Sequence, residues 1–339
     1  MALLDDIRAR LTRVFHAPAG SSALAVSGTG TSGMEAVAAN LAAPGKRALV
    51  VVTGYFGDRL AQMLARYGCD VERLDVEWGR AVDPAAVAGR LSQRPFDLVG
   101  IVHGETSTGV RNPVAEVAAL ARQHDALTIV DAVTTLGAVP LDLASWGIDA
   151  CYSCSQKGLG APSGLAPVAF TPRALERRVA CRSFYFDLGL IEDYWVRRKY
   201  HHTISAPLVF ALHAALTEVE EEGLPARWQR HEQHHHALVS GLATLGLTLL
   251  PSPADRLWSL NTVVVPAEVN EADVRRALLD RDGIEIGAGL GPLAGKVWRV
   301  GLMGSGSTRQ NVDRLLGAMG RATGHVVSGI GQGSGSTGD

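Results

Sequence analysis

The chain has 339 residues, 47% hydrophobic and 19% charged, with a formal net charge of −2. At roughly 100–200 residues per domain that predicts a globular protein of two domains, and a balanced charge with no long Lys/Arg block argues against nucleic acid or an anionic membrane as partner. Four cysteines do not make a disulfide framework in a chain this long, no apolar run nears the ~18 residues of a membrane span, and the acidic start lacks a signal peptide's basic region, so the expected address is cytoplasmic.

Residues 5–15 read as a helix with Ile7, Leu11 and Val14 on one stripe. A short strand at 24–26 leads into Gly28-Thr29-Gly30-Thr31-Ser32-Gly33 and a helix over 34–42. Those six residues spell a dinucleotide fingerprint, but that reading needs an acid closing the second strand about twenty residues on. The strand at 47–53 ends in Thr53-Gly54 and offers none. What remains is a phosphate loop: glycines admit the anion, the following helix presents its positive end, and the Thr29 and Thr31 hydroxyls add donors. A nucleotide-binding module using Gly28–Gly33 alone stays as the non-enzyme alternative.

Strands at 71–76 and 98–103 flank a helix at 84–91, and a helix at 114–124 precedes Leu127-Thr128-Ile129-Val130-Asp131. That apolar run closing on a carboxylate is the pattern of a buried parallel strand whose last residue enters a site. A strand at 149–155 is followed by Lys157 among small residues, then a strand at 166–170 and a helix at 207–222. The alternation predicts an α/β fold with a mainly parallel, doubly wound sheet. Leu224-Pro225 suggests a boundary. Beyond it, helices at 228–245, 271–281 and 309–323 and strands at 262–265 and 296–301 predict a smaller α+β unit. The expected domains are 1–223, 224–325, and a disordered Gly/Ser tail at 326–339.

Lys157 has little structural reason to sit past a strand end, where α/β proteins face their ligand crevice. A desolvated amine there becomes a nucleophile or forms a Schiff base, and paired with Asp131 it is what pyridoxal phosphate requires. Two other patterns are read as decoys. His231-Glu232-Gln233-His234-His235 has the spacing of a zinc peptidase but lies in a stretch polar on every side, so a solvated helix face is the better account. Cys151 and Cys154 have redox spacing, yet residues three apart on a strand face opposite ways, so they read as buried small residues.

Ser27-Gly28-Thr29-Gly30-Thr31, His103-Gly104-Glu105-Thr106-Ser107-Thr108-Gly109, Val130-Asp131-Ala132-Val133, Ser155-Gln156-Lys157 and Tyr200-His201-His202-Thr203 follow one another in that order. Together they resemble the class V aminotransferases of the alanine-glyoxylate and serine-pyruvate type, over residues 10–322. The resemblance implies fold type I and pyridoxal 5'-phosphate as cofactor. It makes Lys157 the cofactor-bearing lysine that also moves the substrate proton, and Asp131, ionised, the partner of the pyridinium nitrogen. Thr29, Gly30 and Thr31 would hold phosphate, and Thr106 and Gln156 a cofactor oxygen or the phosphate. Phe56 stands where the family usually stacks a tryptophan, with less area and no indole N–H, and Val133 would pack the opposite ring face. Tyr200 and Thr203 match a segment that reaches across a homodimer to the partner's cofactor, so that active sites are shared. Arg299 matches the arginine whose planar fork grips the substrate carboxylate.

The implied reaction moves an amino group from a small amino acid, alanine first and serine next, to a small 2-oxo acid, glyoxylate or pyruvate, in two half-reactions. Ureidoglycine or 2-aminoethylphosphonate as donor, and a lyase or desulfurase using Cys181, are the alternatives. Family members begin with a longer arm that includes a Gly-Pro-Gly turn. This sequence opens near the first helix, which leaves two readings: a truncated chain, or a divergent one with a more open pocket.

Overall fold

A computed structural model describes residues 2–324; the tail expected at 326–339 lies outside them. The chain opens with α1 (Ala2–Val14), which buries the predicted stripe of Ile7, Leu11 and Val14. Then come β1 (Ser22–Ser27), α2 (Gly30–Leu41), β2 (Arg47–Val52), α3 (Tyr55–Arg66), β3 (Asp70–Asp75), α4 (Pro84–Gln93) and β4 (Leu98–Val102). A short hairpin, β5 (Gly104–Glu105) and β6 (Val110–Arg111), precedes α5 (Val114–Gln123) and β7 (Leu127–Asp131). After α6 (Leu143–Trp146), the strands β8 (Ala150–Tyr152) and β9 (Leu165–Phe170) complete the main sheet, and α7 (Pro172–Glu176), α8 (Leu188–Trp195) and α9 (Ala206–Glu222) follow.

The main sheet has the order β1-β9-β8-β7-β4-β2-β3. Pairs β2/β3, β2/β4, β4/β7 and β7/β8 are parallel, while β9 runs against both β8 and β1. Since β9 reverses against each neighbour, β1 points the same way as the parallel strands. Every residue of β4, β7, β8 and β9 is buried, as expected of a sheet covered on both faces. The strand expected at 149–155 is shorter, ending at Tyr152. Ser153 N and Ser155 N still donate to Pro167 O (2.8 Å) and Leu165 O (2.9 Å), but Pro167 has no N–H to return its bond, so the regular two-way ladder ends at Tyr152.

The second part begins where α9 meets α10 (Leu224–Thr244) at Gly223. It continues with β10 (Leu260–Val264), α11 (Glu271–Asp282), β11 (Gly287–Ala288), β12 (Val297–Gly301) and α12 (Arg309–Thr323), the strands forming an antiparallel sheet in the order β10-β12-β11. It has its own core, in which Leu238, Leu242, Trp298, Val312 and Met319 pack together. A small cluster of Ala138, Val139, Leu257 and Leu260 sits where residues of the two parts meet. No described helix is long and apolar enough to cross a membrane.

Candidate active site

Most residues expected at the site follow the C-terminal ends of co-directional strands: Thr29, Gly30 and Thr31 after β1, Phe56 after β2, Thr106 after β4, Asp131 and Val133 at β7, Gln156 and Lys157 after β8. That edge is where an open α/β sheet leaves its crevice.

Several of these residues touch. A Cβ on Gly30 would lie 2.7 Å from Val133 Cγ2 and 3.7 Å from Cys154 Cβ, so only a residue without a side chain lets the start of α2 approach the β7 and β8 ends this closely. Thr29, the N-cap of α2, makes no side-chain cap hydrogen bond. Thr31 Oγ1 accepts from Arg59 Nη1 (3.0 Å), and the same guanidinium lies over the rings of Tyr55 (5.1 Å) and Phe56 (5.4 Å). Arg59 escaped the sequence reading; its signal was an arginine one turn past Tyr55-Phe56-Gly57, recognisable only once 55–66 is known to be helical.

Phe56 is half-buried and its place is set by Glu105, a second residue the sequence reading did not single out. The fully buried Glu105 carboxylate accepts from Phe56 N (3.2 Å), Gly57 N (3.1 Å), Ser107 N (3.1 Å) and Ser107 Oγ (2.6 Å). It thereby satisfies the otherwise orphaned amides at the start of α3. Gly54 is needed there because a Cβ would sit 2.3 Å from Ser107 Oγ and 2.6 Å from Glu105 Cγ. Burial pushes the Glu105 carboxyl up, against the lowering by these donors.

Asp131 is only 3% exposed and accepts from Val133 N (2.8 Å). Burial raises its pKa to about 7, opposed by that amide, by the Tyr152 hydroxyl and by Arg59. The Tyr152 hydroxyl is near enough to act on Asp131 yet makes no hydrogen bond of normal geometry. With Arg59 acting only at a distance and no cation paired to it, Asp131 titrates near neutrality. Among the described residues it has no ion-pair partner. Gln156 Oε1 is likewise buried without a partner.

Lys157 is partly buried in the turn after β8, and its carbonyl accepts from Gly160 N (3.0 Å). The turn is clamped from the second part of the chain. Arg227 Nη2 donates to Gly158 O (2.9 Å), and a Cβ on Gly304 would come within 3.1 Å of Lys157 O. Gly304 N in turn donates to His231 Nε2 (3.1 Å), whose Nδ1 therefore carries the proton it gives to Arg227 O (2.7 Å). This corrects the reading of 231–235 as a solvated face. Arg227, His231, His235, Leu238 and Leu242 form the buried stripe of α10, because i, i+4 spacing puts them on one side of the helix. Burial lowers both His231 and His235 to about 4. Cys151 and Cys154 are buried free thiols, as expected.

Arg299, on β12, reaches the β4 loop: Nη1 donates to Thr106 O (3.4 Å) and Nε to Ala288 O (2.6 Å). Tyr200 stays outside the cluster, 78% exposed, its hydroxyl 3.3 Å from Thr203 Oγ1. His202 Nε2, in the same segment, is hydrogen-bonded to Ser27 Oγ (2.8 Å) at the end of β1. Cys181 is half-buried, its thiol pushed up by burial and bonded to Ser183 O (3.3 Å), which does not favour a thiolate nucleophile.

The sequence profile of the family "Aminotransferase class-V" matches residues 1–315. A solved alanine-glyoxylate aminotransferase from Nostoc sp. superposes with a TM-score of 0.91 at 42% identity, covering 95% of this chain and 86% of that one. The alanine-glyoxylate aminotransferase of Oryctolagus cuniculus is 37% identical over 96% of this chain and 85% of its own length. The (S)-ureidoglycine-glyoxylate transaminase of Bacillus subtilis is 36% identical over 87% of this chain and 76% of its own length. The strand-end cluster around Lys157 and Asp131 thus sits in a chain that belongs to the class V aminotransferases, a family whose cofactor is pyridoxal phosphate.

Proposed function

We propose that the protein transfers the amino group of a small amino acid, alanine in the first instance, to glyoxylate or pyruvate with pyridoxal phosphate. The observation that carries this reading is Asp131, a buried carboxylate at a parallel strand end with no cation of its own, beside a glycine cradle and an uncapped helix start. Such a group fits a pyridinium nitrogen, and the Thr29–Thr31 amides and hydroxyls fit a phosphate. Gln156, with its orphaned oxygen, Thr106, and the Phe56 and Val133 side chains would complete the holding set. The bound cofactor supplies an electron sink for the charge left when the substrate Cα loses its proton.

In this reading Lys157 Nζ takes and returns that Cα proton, and the Arg227 clamp keeps the lysine turn in one place while it does. Arg299, tied down through Nε and one Nη1 hydrogen, keeps its remaining terminal N–H groups for the substrate carboxylate. We take 1–223 as the cofactor domain and 224–325 as the smaller one that brings Arg299 to it. Tyr200 and Thr203 are assigned to the partner's cofactor in a homodimer. Alanine ranks first because alanine-glyoxylate names recur among the relatives, and ureidoglycine is the second donor because a relative of that name matches as well.

The test is the visible absorption of the purified protein with pyridoxal phosphate, before and after L-alanine. A lysine-dependent band that alanine abolishes and glyoxylate restores is the expected result. A band indifferent to alanine but responsive to another donor would move the donor assignment. A folded protein with Lys157 intact and no band would sink the proposal.

A further inference from the structure

A cavity of about 430 Å³ lies between β6, the start of α5, α6 and the segment around Asp255, and none of its lining residues belongs to the site described above. His103, on its wall, is 3% exposed, its Nδ1 has no hydrogen-bond partner, and its ring meets Trp146 edge-on at 5.7 Å. Arg111, also on the wall, makes no side-chain hydrogen bond or ion pair among the described residues; its guanidinium lies over the Trp258 ring at 4.8 Å. The ten-residue helix α5 opens into the same space; its cap residue, Pro113, makes no side-chain cap hydrogen bond, and with Val114 N given to Asn112 O (2.9 Å) the next amides, those of Ala115 and Glu116, are left to the space.

An unpaired guanidinium, a buried imidazole with a free nitrogen and an uncapped helix start all favour negative charge or a hydrogen-bonding anion. Two carboxylates face the same space. Asp255, whose Oδ2 accepts from Ala81 N (3.4 Å), and the exposed Glu116 both line it. A simple anion would meet their repulsion and a simple cation that of Arg111. A ligand carrying both charges on groups attached to one carbon satisfies both sets, and Val139, Pro140 and Trp146 leave an apolar wall for a small side chain.

We propose that this cavity binds a small amino acid as its zwitterion, the carboxylate on Arg111 and the start of α5, the ammonium towards Asp255. The site is separate from the catalytic one but close along the chain. Arg111 pairs with Gly104 across the hairpin, and Glu105 and Thr106 come next.

N,N-dimethylglycine tests this, because its tertiary amine keeps the zwitterion but cannot condense with the cofactor. Calorimetric titration of the cofactor-loaded protein is expected to show one equivalent bound per chain. Arg111→Gln should weaken binding about tenfold or more, Arg111→Lys much less, and Arg299→Gln should leave it unchanged. Acetate and tetramethylammonium should each bind about tenfold more weakly or worse. Should Arg111→Gln fail to fold, Asp255→Asn replaces it, expected to weaken N,N-dimethylglycine but not acetate. Binding lost in Arg299→Gln and kept in Arg111→Gln would place the ligand in the catalytic pocket and overturn the proposal. So would acetate binding as tightly as the zwitterion, or no binding at all.

Discussion

Asp131 and Glu105 are both buried carboxylates at strand ends, and their partners separate them. Glu105 is surrounded by donors from α3 and Ser107, so its acceptor capacity is used inside the protein. Asp131 has one amide and capacity to spare, which suits it to a ligand. Its raised pKa has a consequence for the cofactor-free protein. The folded state holds a proton between the usual aspartate value of 3.8 and about 7, where the unfolded chain has released it. Stability therefore falls as pH rises through that window, by a few kcal/mol at ~1.4 kcal/mol per pK unit. Asp131→Asn should remove this share of the slope. Urea unfolding of both cofactor-free proteins below about pH 4 and above about pH 7 checks it, and parallel pH profiles would contradict it. Phe56 gives a second residue-scale prediction. Replacing its ring by alanine should weaken pyridoxal phosphate by roughly tenfold, and tryptophan should tighten it, since stacking scales with ring area. Titration of tryptophan fluorescence by the cofactor measures both, with the Phe56→Trp change in background subtracted.

Among the elements, the buried parallel strands β2, β4 and β7 were legible because such strands read as continuous apolar runs, and Asp131 stood out against one. The helix α3 was not. Tyr55-Phe56-Gly57 looks like a loop, and the carboxylate that caps it, Glu105, comes from 48 residues away for Gly57, beyond any local cap signal. The α10 histidines failed for a related reason. Spacing at i, i+4 serves a metal or a packed seam equally well, and only the Gly304 amide and Arg227 carbonyl decide between them. That seam is the mechanical link to Lys157. Arg227, almost wholly buried, joins Glu222 (2.6 Å) to the Gly158 carbonyl. Arg227→Met should cost about 2–4 kcal/mol, because it strands that carbonyl and half of the Glu222 pairing. It should also lower kcat more than it raises KM for the amino donor, since a loosened lysine turn affects proton transfer rather than carboxylate binding. Glu222→Gln, which leaves the Arg227–Gly158 bond in place, should cost less on both counts. Equal kcat for wild type and Arg227→Met would remove the clamp from the mechanism.

At the scale of the whole molecule, the cluster on one chain holds Lys157, Asp131 and the glycine cradle together but leaves Tyr200 and Thr203 outside it. Tyr200 stands in solvent, and Phe184 and Phe210 are exposed large apolar residues as well. Isolated exposed apolar residues are ordinary, but Tyr200, exposed and outside its own chain's cluster, is in the proposed reading a residue of the partner's site. If sites are shared in a twofold dimer, Lys157→Ala and Tyr200→Ala with Thr203→Ala are defects in different halves of each site. A mixed dimer then concentrates both defects in one site and leaves the other with an intact lysine from one chain and an intact tyrosine from its partner. Unfolding, mixing and refolding the two variants in equal amounts should restore about a quarter of wild-type activity when chains pair at random, well above the sum of the parents. Self-contained sites would give no recovery beyond that sum. In that case Tyr200 would have to reach its own chain's phosphate by a rearrangement of 196–204, and a monomer should be active.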